Sequence, residues 1–576
     1  MSGVADAEAL LARLDSEQRE AALATHGPVC MLAGAGTGKT TAITHRIAYG
    51  VASGVYPPSK VMALTFTAKA AGELRSRLRR LGASGVSART FHASALAQLN
   101  FFWPQVIGGT MPRIVDSKGR LLGQAAESLG LKLDTATLRD LAAEIEWRKV
   151  SRLSLDEYAE ADRALPATVN LDRMVALHKA YEDIKDSRRQ IDFEDVLLAT
   201  AGMIESEPRV ADHVREQYRF FVVDEYQDVS PLQHYLLQLW LGDRQDVCVV
   251  GDASQTIYSF AGASSRFLLR FPSEYPEATV VRLERNYRSA GPIIETANQL
   301  MRGRPGALAL RPAPPASTSA AKTKQSAAPT FTAHASDGAE ARAVARAIEA
   351  ELAEGVEPQD IAVLYRVNSQ AVLLEAALGD LGITTRLTGA KRFFELPEVK
   401  QAIMMLKGAV VGGAAEPLFK TVSDVLRSLG WSQQAPETRG AVRDRWESLN
   451  TIMTLAEEAG RGIPLRRFVD DLSDRAATQN EPTMRAVTLA TIHAAKGLEW
   501  SSVYLVGLGE GLLPITYAKD EAAIDEERRL LYVGITRARD RLALSWAAAG
   551  QGGQRQPSRF LAELRTRTPG ARSTRG

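Results

Sequence analysis

Ala33-Gly34-Ala35-Gly36-Thr37-Gly38-Lys39-Thr40 carries the strongest chemical signal in the sequence. Its glycines let successive backbone N–H groups converge on phosphate oxygens, and a helix start directly after them adds a field that favours an anion. The block follows an apolar run at 29–32 and opens a segment of helical periodicity at 40–48. Strand, glycine-rich turn and helix start is the setting of a phosphate-cradling loop, with Lys39 reaching the β- and γ-phosphates and the Thr40 hydroxyl holding Mg²⁺. Ala33 stands where the general pattern usually begins with glycine. A second block, Phe220-Phe221-Val222-Val223-Asp224-Glu225-Tyr226-Gln227-Asp228, sets two carboxylates directly after four apolar residues. It reads as a buried strand with acids at its C-terminal end, where ligands sit in a doubly wound sheet. Asp224 is expected to coordinate Mg²⁺ through water, and Glu225 to orient and deprotonate an attacking water. Alone, either block also reads as an unliganded turn; together they describe a site for phosphoryl transfer.

The elements that must position these groups follow from the run pattern. Regions 29–108 and 192–275 contain short apolar runs followed by helical periodicity, the α/β signature, with runs at 29–32, 61–66, 220–223 and 247–250. Region 109–190 is charged, helical in pattern and free of such runs, an all-α insertion. A second α/β region has runs at 361–365, 487–492, 503–506 and 542–546, interrupted by a helical stretch at 394–483. The expected fold is α/β: two domains with parallel sheets and helices on both faces, each carrying a helical insertion. The expected parts are 1–108 with 191–277, an insertion at 109–190, then 278–393 with 484–565, and a short insertion at 394–483. The Pro-, Ala-, Ser- and Thr-rich stretch 302–330 reads as a flexible loop, and 566–576 as a basic tail.

Composition narrows the class. A chain of 576 residues, 45% hydrophobic and 24% charged, can bury several cores, and that balance excludes a disordered, collagen-like or coiled-coil protein. Two cysteines, Cys30 and Cys248, exclude a disulfide framework and a four-cysteine zinc site. The lack of a long apolar run and of a secretory signal leads to an expected cytoplasmic protein. Net charge is +2, from 70 basic and 68 acidic residues, so any nucleic-acid surface must be local.

The remaining blocks, in their order, resemble the UvrD/PcrA/Rep group of superfamily-one DNA helicases, from about Leu14 to Phe560. Leu14-Asp15-Ser16-Glu17-Gln18 looks like that family's adenine-reading segment, with Gln18 pairing to the base edge. Gly251-Asp252-Ala253-Ser254-Gln255-Thr256-Ile257-Tyr258 looks like its sensor, with Gln255 reading the γ-phosphate. Glu284-Arg285-Asn286-Tyr287-Arg288 resembles the segment that stacks Tyr287 on adenine and presents Arg288 to the γ-phosphate. Tyr532-Val533-Gly534-Ile535-Thr536-Arg537 supplies a second arginine by the same resemblance. The implied fold is a pair of RecA-like domains that must close over one ATP before it is hydrolysed.

The resemblance also implies a single-stranded DNA track. Its candidates are Thr65 and Phe66, then Thr90, Phe91 and His92, then Tyr258 and Phe260, and in the second domain Thr491 and His493, with Glu499 near the ATP ribose. Aromatic faces accept any base, and hydroxyls hold phosphates. Taken alone, Phe66 or His493 reads as a core residue, and Arg288 or Arg537 as an ordinary surface arginine. The implied activity is a 3′→5′ ATP-dependent DNA helicase of repair or replication, nucleoid-associated, acting on single strands and 3′-tailed duplexes beside repair or replication proteins.

The sequence departs from the family's better-known members at several points. Ala68 replaces a usual asparagine, Thr41 a frequent arginine, and Tyr258-Ser259-Phe260-Ala261-Gly262-Ala263 a version with tryptophan and arginine. In 418–431 the only glycine is Gly430, so the duplex-contact motif of larger relatives is not found in the second insertion. These features resemble a compact actinobacterial-type branch without an appended C-terminal domain. They favour, as the alternative, a translocase that displaces bound proteins and unwinds duplex weakly.

Overall fold

In the computed structural model the apolar runs become parallel strands buried on both faces. The structure describes all residues except 1, 134, 162, 164, 166–168, 315–326, 389–393, 395, 413–416, 434–440, 460–461, 479–484, 517, 551–552 and 566–576. The chain divides into two compact units, Met1–Glu284 with Pro305–Leu308, and Arg285–Arg304 with Ala309–Gly576.

The first unit holds a sheet of β1 (Val29–Ala33), β2 (Val61–Thr65), β3 (Ser87–Thr90), β4 (Phe220–Val223), β5 (Val247–Gly251) and β6 (Thr279–Leu283), in the order β3-β2-β4-β5-β1-β6. All its pairings are parallel. Alternate residues feed two cores. Cys30, Met62, Leu64, Phe221 and Val249 pack on one face, and Val29, Met31, Ala63, Val222 and Cys248 on the other. That double burial is why the strands read as unbroken apolar runs. The edge strands β3 and β6 lack such runs: β6 buries only Val281 and Leu283. Because β6 pairs with β1, this unit extends past the expected boundary at 277 to Glu284.

Region 109–190 forms the helices Lys118–Ser128, Thr135–Val150, Leu155–Glu160 and Leu171–Ser187. They share a core around Leu122, Leu141, Ile145, Met174 and Tyr181. A short parallel pairing of Arg113–Ile114 with Gln190–Ile191 closes the base of this insertion, which the helical pattern did not anticipate.

The second unit repeats the scheme with β7 (Thr330–His334), β8 (Ile361–Tyr365), β9 (Thr385–Thr388), β10 (Val487–Thr491), β11 (Trp500–Leu505) and β12 (Ala538–Ala547), all parallel, in the order β7-β12-β11-β8-β10-β9. Again the edge strands β7 and β9 carried no apolar run. Helices Pro397–Val411, Leu418–Ser428, Ala441–Ala459 and Leu465–Thr478 enclose a separate core around Leu406, Val422, Ile452 and Leu472. Most of the central part of the expected 302–330 loop, and all of the expected 566–576 tail, lie outside the described residues. Among the described residues no helix is long and apolar enough to cross a membrane.

Candidate functional site

The glycine-rich loop connects β1 to the helix Lys39–Ala52, at the C-terminal end of the first sheet. Gly36 and Gly38 have φ of 71° and 76°, which a side chain would strain. At Gly38 a Cβ would also lie 2.5 Å from Gln18 Nε2. The loop is braced from within, as Thr37 Oγ1 donates to the Gly34 carbonyl at 2.8 Å. Gln18 is buried, and its amide Nε2 donates to the Thr37 carbonyl at 3.0 Å. Asp15 caps that helix by accepting from the Gln18 backbone N–H at 2.8 Å. The predicted adenine-reading residue thus abuts the phosphate loop.

Lys39 Nζ donates to Glu225 Oε1 and lies 3.9 Å from Asp224 Oδ1. Burial alone would pull the ammonium down, but Glu225 and Asp224 outweigh it and hold its pKa above the usual lysine range. Burial pushes the Asp224 carboxyl up to about 6, against the pull of Lys39. Glu225 adopts left-handed backbone, φ 54°, a conformation that costs a non-glycine residue roughly 1 kcal/mol or more. The turn aims its carboxylate at two donors, Lys39 and Gln227, whose Nε2 donates to Glu225 Oε2 at 2.5 Å. Gln227 Oε1 in turn accepts from the Asp252 N–H at 3.1 Å, and Gln255 Nε2 donates to Asp252 Oδ2 at 2.8 Å. One polar chain therefore runs Lys39–Glu225–Gln227–Asp252–Gln255. Gln227 and Asp252 are its links, and sequence reading did not single them out.

Three residues beyond Gln255 the same loop presents Tyr258. Its ring stacks on Phe66 with centroids 5.7 Å apart and planes 10° apart, and meets Phe260 edge-on at 6.0 Å. Phe66 is 46% exposed and Phe260 61%. Large apolar side chains this open, gathered in one place, mark a surface that takes a ligand. His92, in the helix that follows β3, is edge-on to Phe193 at 6.0 Å, and Phe193 is 54% exposed. Burial and Lys118 push the His92 imidazole below its ordinary range, which favours the neutral ring. Phe193 was missed. Its signal is an aromatic left at the first position of a helix behind an Asp192–Asp195 capping box.

Two expected contacts are corrected. Phe91 is buried in the core and stacks on Trp240 at 5.8 Å, so it cannot receive a base. Thr65 is also buried, and its hydroxyl closes a turn with Thr67, donating to the carbonyl at 3.2 Å. Thr90 Oγ1 caps its helix by accepting from the Ala93 N–H at 3.1 Å, and Thr67 does the same for the helix Ala68–Arg80. Both capped helix starts remain suited to anions.

In the second unit, Arg288, Glu499 and Arg537 gather at the N-terminal ends of β11 and β12. Arg288 Nε and Arg539 Nε both donate to Glu499, the latter at 3.0 Å. Burial opposes ionisation of Glu499, but Arg288 and Arg539 outweigh it and hold its carboxyl below the usual range. Arg537 is buried, so it is not the surface arginine that isolated reading suggests. Its Nε donates to the Val533 carbonyl at 2.9 Å and its Nη1 to the Leu498 carbonyl at 3.2 Å. Tyr287 is 51% exposed. Thr491, the last residue of β10, and His493 just beyond it lie at the other end of this sheet. Thr491 Oγ1 accepts from the Ala494 N–H at 3.3 Å. Burial, Arg366 and Lys496 push His493 down to about 4, so its ring is neutral.

Comparison with known proteins agrees with this geometry. Residues 14–276 match the model of the UvrD/REP helicase N-terminal domain, and 281–432 with 417–549 match the UvrD-like helicase C-terminal domain. The chain is 46% identical over 578 residues to the ATP-dependent DNA helicases UvrD2 of Mycobacterium bovis and Mycobacterium tuberculosis, covering 96% of this chain and 81% of theirs. It is 28% identical over 646 residues to the ATP-dependent DNA helicase PcrA of Staphylococcus aureus, covering 96% of this chain and 87% of that one. With both halves matched by its domain models and the phosphate loop, acidic strand end and sensor loop assembled at one sheet edge, the chain belongs to the UvrD/REP helicase family.

Proposed function

We propose that this chain is an ATP-dependent DNA helicase that moves 3′→5′ along single-stranded DNA, in DNA repair or replication. The observation that carries the reading is the polar chain from Lys39 to Gln255, which ends three residues from the aromatic surface of Phe66, Tyr258 and Phe260. Loss or gain of a phosphate beside Lys39 changes the partners of Glu225, and the sensor loop is the next link. The four-part division of the chain belongs to this reading. So do the site assignments of Gln18, the 33–40 loop, Asp224, Glu225, Gln255, Tyr287, Arg288, Glu499 and Arg537 to ATP, and of Phe66, Thr90, His92, Tyr258, Phe260, Thr491 and His493 to DNA.

The donor set fits a magnesium nucleotide. The Thr40 hydroxyl and Asp224 carboxylate are the hard oxygens that Mg²⁺ prefers, and the ion supplies neutralisation of phosphate charge when bound. The backbone N–H groups of 34–40 and Lys39 hold the phosphates, and Lys39 leaves Glu225 to do so. Glu225 then accepts the proton of the attacking water, with Gln227 holding its other oxygen. Arg288 and Arg537 stabilise charge on the transferred group.

DNA-stimulated ATP hydrolysis and strand displacement on 3′-tailed, 5′-tailed and blunt duplexes test the reading. Displacement confined to 3′-tailed substrates is expected. ATP turnover indifferent to oligonucleotide overturns it. The replacement of an arginine by Ala261 and the single glycine of 418–431 favour a second reading, a translocase with weak unwinding. Streptavidin removal from a single strand without displacement of a duplex decides for that version.

A further inference from the structure

The helical insertion meets the start of the helix Phe193–Ser206 through a buried ionic cluster that the proposed reaction does not use. Lys149, Lys185 and Asp192 are each almost fully buried. Lys149 Nζ donates to Asp192 Oδ2 and to Asp195 Oδ1, both at 2.7 Å. Lys185 pairs with Asp195 and lies 2.6 Å from Glu182 Oε2, and Tyr181 donates its hydroxyl to Asp192 at 3.1 Å. Glu182, Asp192 and Asp195 are near enough to one another to hold a cation, and the two ammonium groups already serve them. A second set, Lys118 with Glu146 and Glu194 at 2.6 and 2.7 Å, ties two insertion helices to the same helix start.

Burying this many charges is a poor way to gain stability, because desolvation cancels most of the attraction. A network in which each charge meets an opposite one instead selects one geometry. What that geometry fixes is visible one residue along the chain from each end of the Lys149–Asp192 bond. Lys149 precedes Val150, which presses on the aromatic loop: a Cβ on Gly262, φ +84°, would lie 2.6 Å from Val150 Cγ2. Beyond it Arg152, at φ 61°, lays its guanidinium 3.3 Å over the Tyr235 ring and pins the turn. Asp192 precedes Phe193, the exposed ring against His92. We propose that Lys149 and Asp192 are positioning residues for the DNA track, holding the Tyr258–Phe260 loop and the Phe193–His92 pair in one fixed spacing. The proposal rests on the reading that these aromatics face single-stranded DNA.

The test uses the full chain and an oligonucleotide carrying 2-aminopurine, whose fluorescence falls when the base stacks, together with DNA-stimulated ATP hydrolysis. The variant is Lys149→Met with Asp192→Asn, in which asparagine keeps the helix cap. Melting temperature and DNA-independent ATP hydrolysis are expected to stay near wild type. The aminopurine change should shrink, and the half-saturating DNA concentration should rise about tenfold, with the rate at saturating DNA little altered, as displacement of a contact surface by a fraction of an ångström implies. A folded variant with wild-type stacking and half-saturation overturns the proposal. Should the double variant fail to fold, Val150→Ala decides, since it leaves the cluster whole and removes only the pressure on the loop; a wild-type response there is equally fatal. Phe260→Ala separates the two levels. If the wild-type signal does not depend on Phe260, the DNA-track reading falls and takes the proposal with it. If it depends on Phe260 but ignores Lys149 and Asp192, positioning alone falls.

Discussion

The two sheets have the same parallel build but distribute their chemistry differently. In the first unit, phosphate-site and aromatic residues all leave the C-terminal ends of strands: the 33–40 loop after β1, Phe66 after β2, His92 after β3, Asp224 after β4 and Asp252 after β5. A few hydrogen bonds suffice to join them. In the second unit, Arg288, Glu499 and Arg537 sit at the N-terminal ends of β11 and β12, whereas Thr491 ends β10 and His493 follows it. A five-residue strand spans roughly 15 Å, so no single side chain bridges the two groups. In the first unit side chains link the two groups, whereas in the second the groups stand at opposite ends of the sheet. The charges differ in sense as well. The first edge holds carboxylates paired with one lysine, and the second holds arginines steered by one carboxylate.

The contrast breaks most easily at its largest effect. Glu225→Gln should cut DNA-stimulated ATP hydrolysis by about 10²–10⁴-fold, the usual loss for a general base, with DNA binding retained, and Lys39→Ala should do as much. Glu499→Gln, which only frees Arg288 and Arg539, should cost about tenfold. Equal losses in steady-state assays would erase the distinction between acting and steering carboxylates. Next, Phe91→Ala should lower unfolding free energy by about 3–5 kcal/mol in denaturant titrations, the cost of emptying a core site. Phe260→Ala should leave stability unchanged but weaken oligonucleotide binding by ~1–3 kcal/mol. A destabilised Phe260 variant would mean that the exposed ring belongs to the fold.

The smallest effects are those of pH. Asp224 titrates near 6 in the folded chain and near 3.8 unfolded, so folding takes up a proton between these values. Its stabilising contribution is complete below about pH 4 and is lost as pH rises through about 6. The difference in denaturation midpoint between wild type and Asp224→Asn should therefore move against the wild type over that window. His493, neutral above about pH 4, should confer no pH dependence on DNA binding between about pH 6 and 8. A titration of binding near pH 6.5 that disappears in His493→Ala would reverse that assignment.

Much of this was legible before any coordinates. Central strands announce themselves because both faces are buried, and glycine-rich turns because their backbone demands glycine. Edge strands such as Thr279–Leu283 bury one face and half their length, so their residues look like any loop. The links of the polar chain were harder. Gln227 and Asp252 matter because the Gln227 side-chain carbonyl meets the Asp252 backbone N–H, a fact of tertiary packing across β4 and β5. Arg539 escaped because its role lies in a shared partner, Glu499, forty residues away. Phe193 and Phe91 show the same limit from opposite sides: a phenylalanine beside a helix start can face water or core, and only the neighbours decide.

The Phe91–Trp240 stack bears on how motifs are dissected. Thr90-Phe91-His92 places a root between two leaves: the middle ring anchors the helix in the interior so that its neighbours can be displayed. A mutational scan scored by lost DNA binding would rank Phe91 beside true contacts, because a loosened anchor misplaces everything it carries. Paired scoring of abundance and binding would sort anchors from contacts.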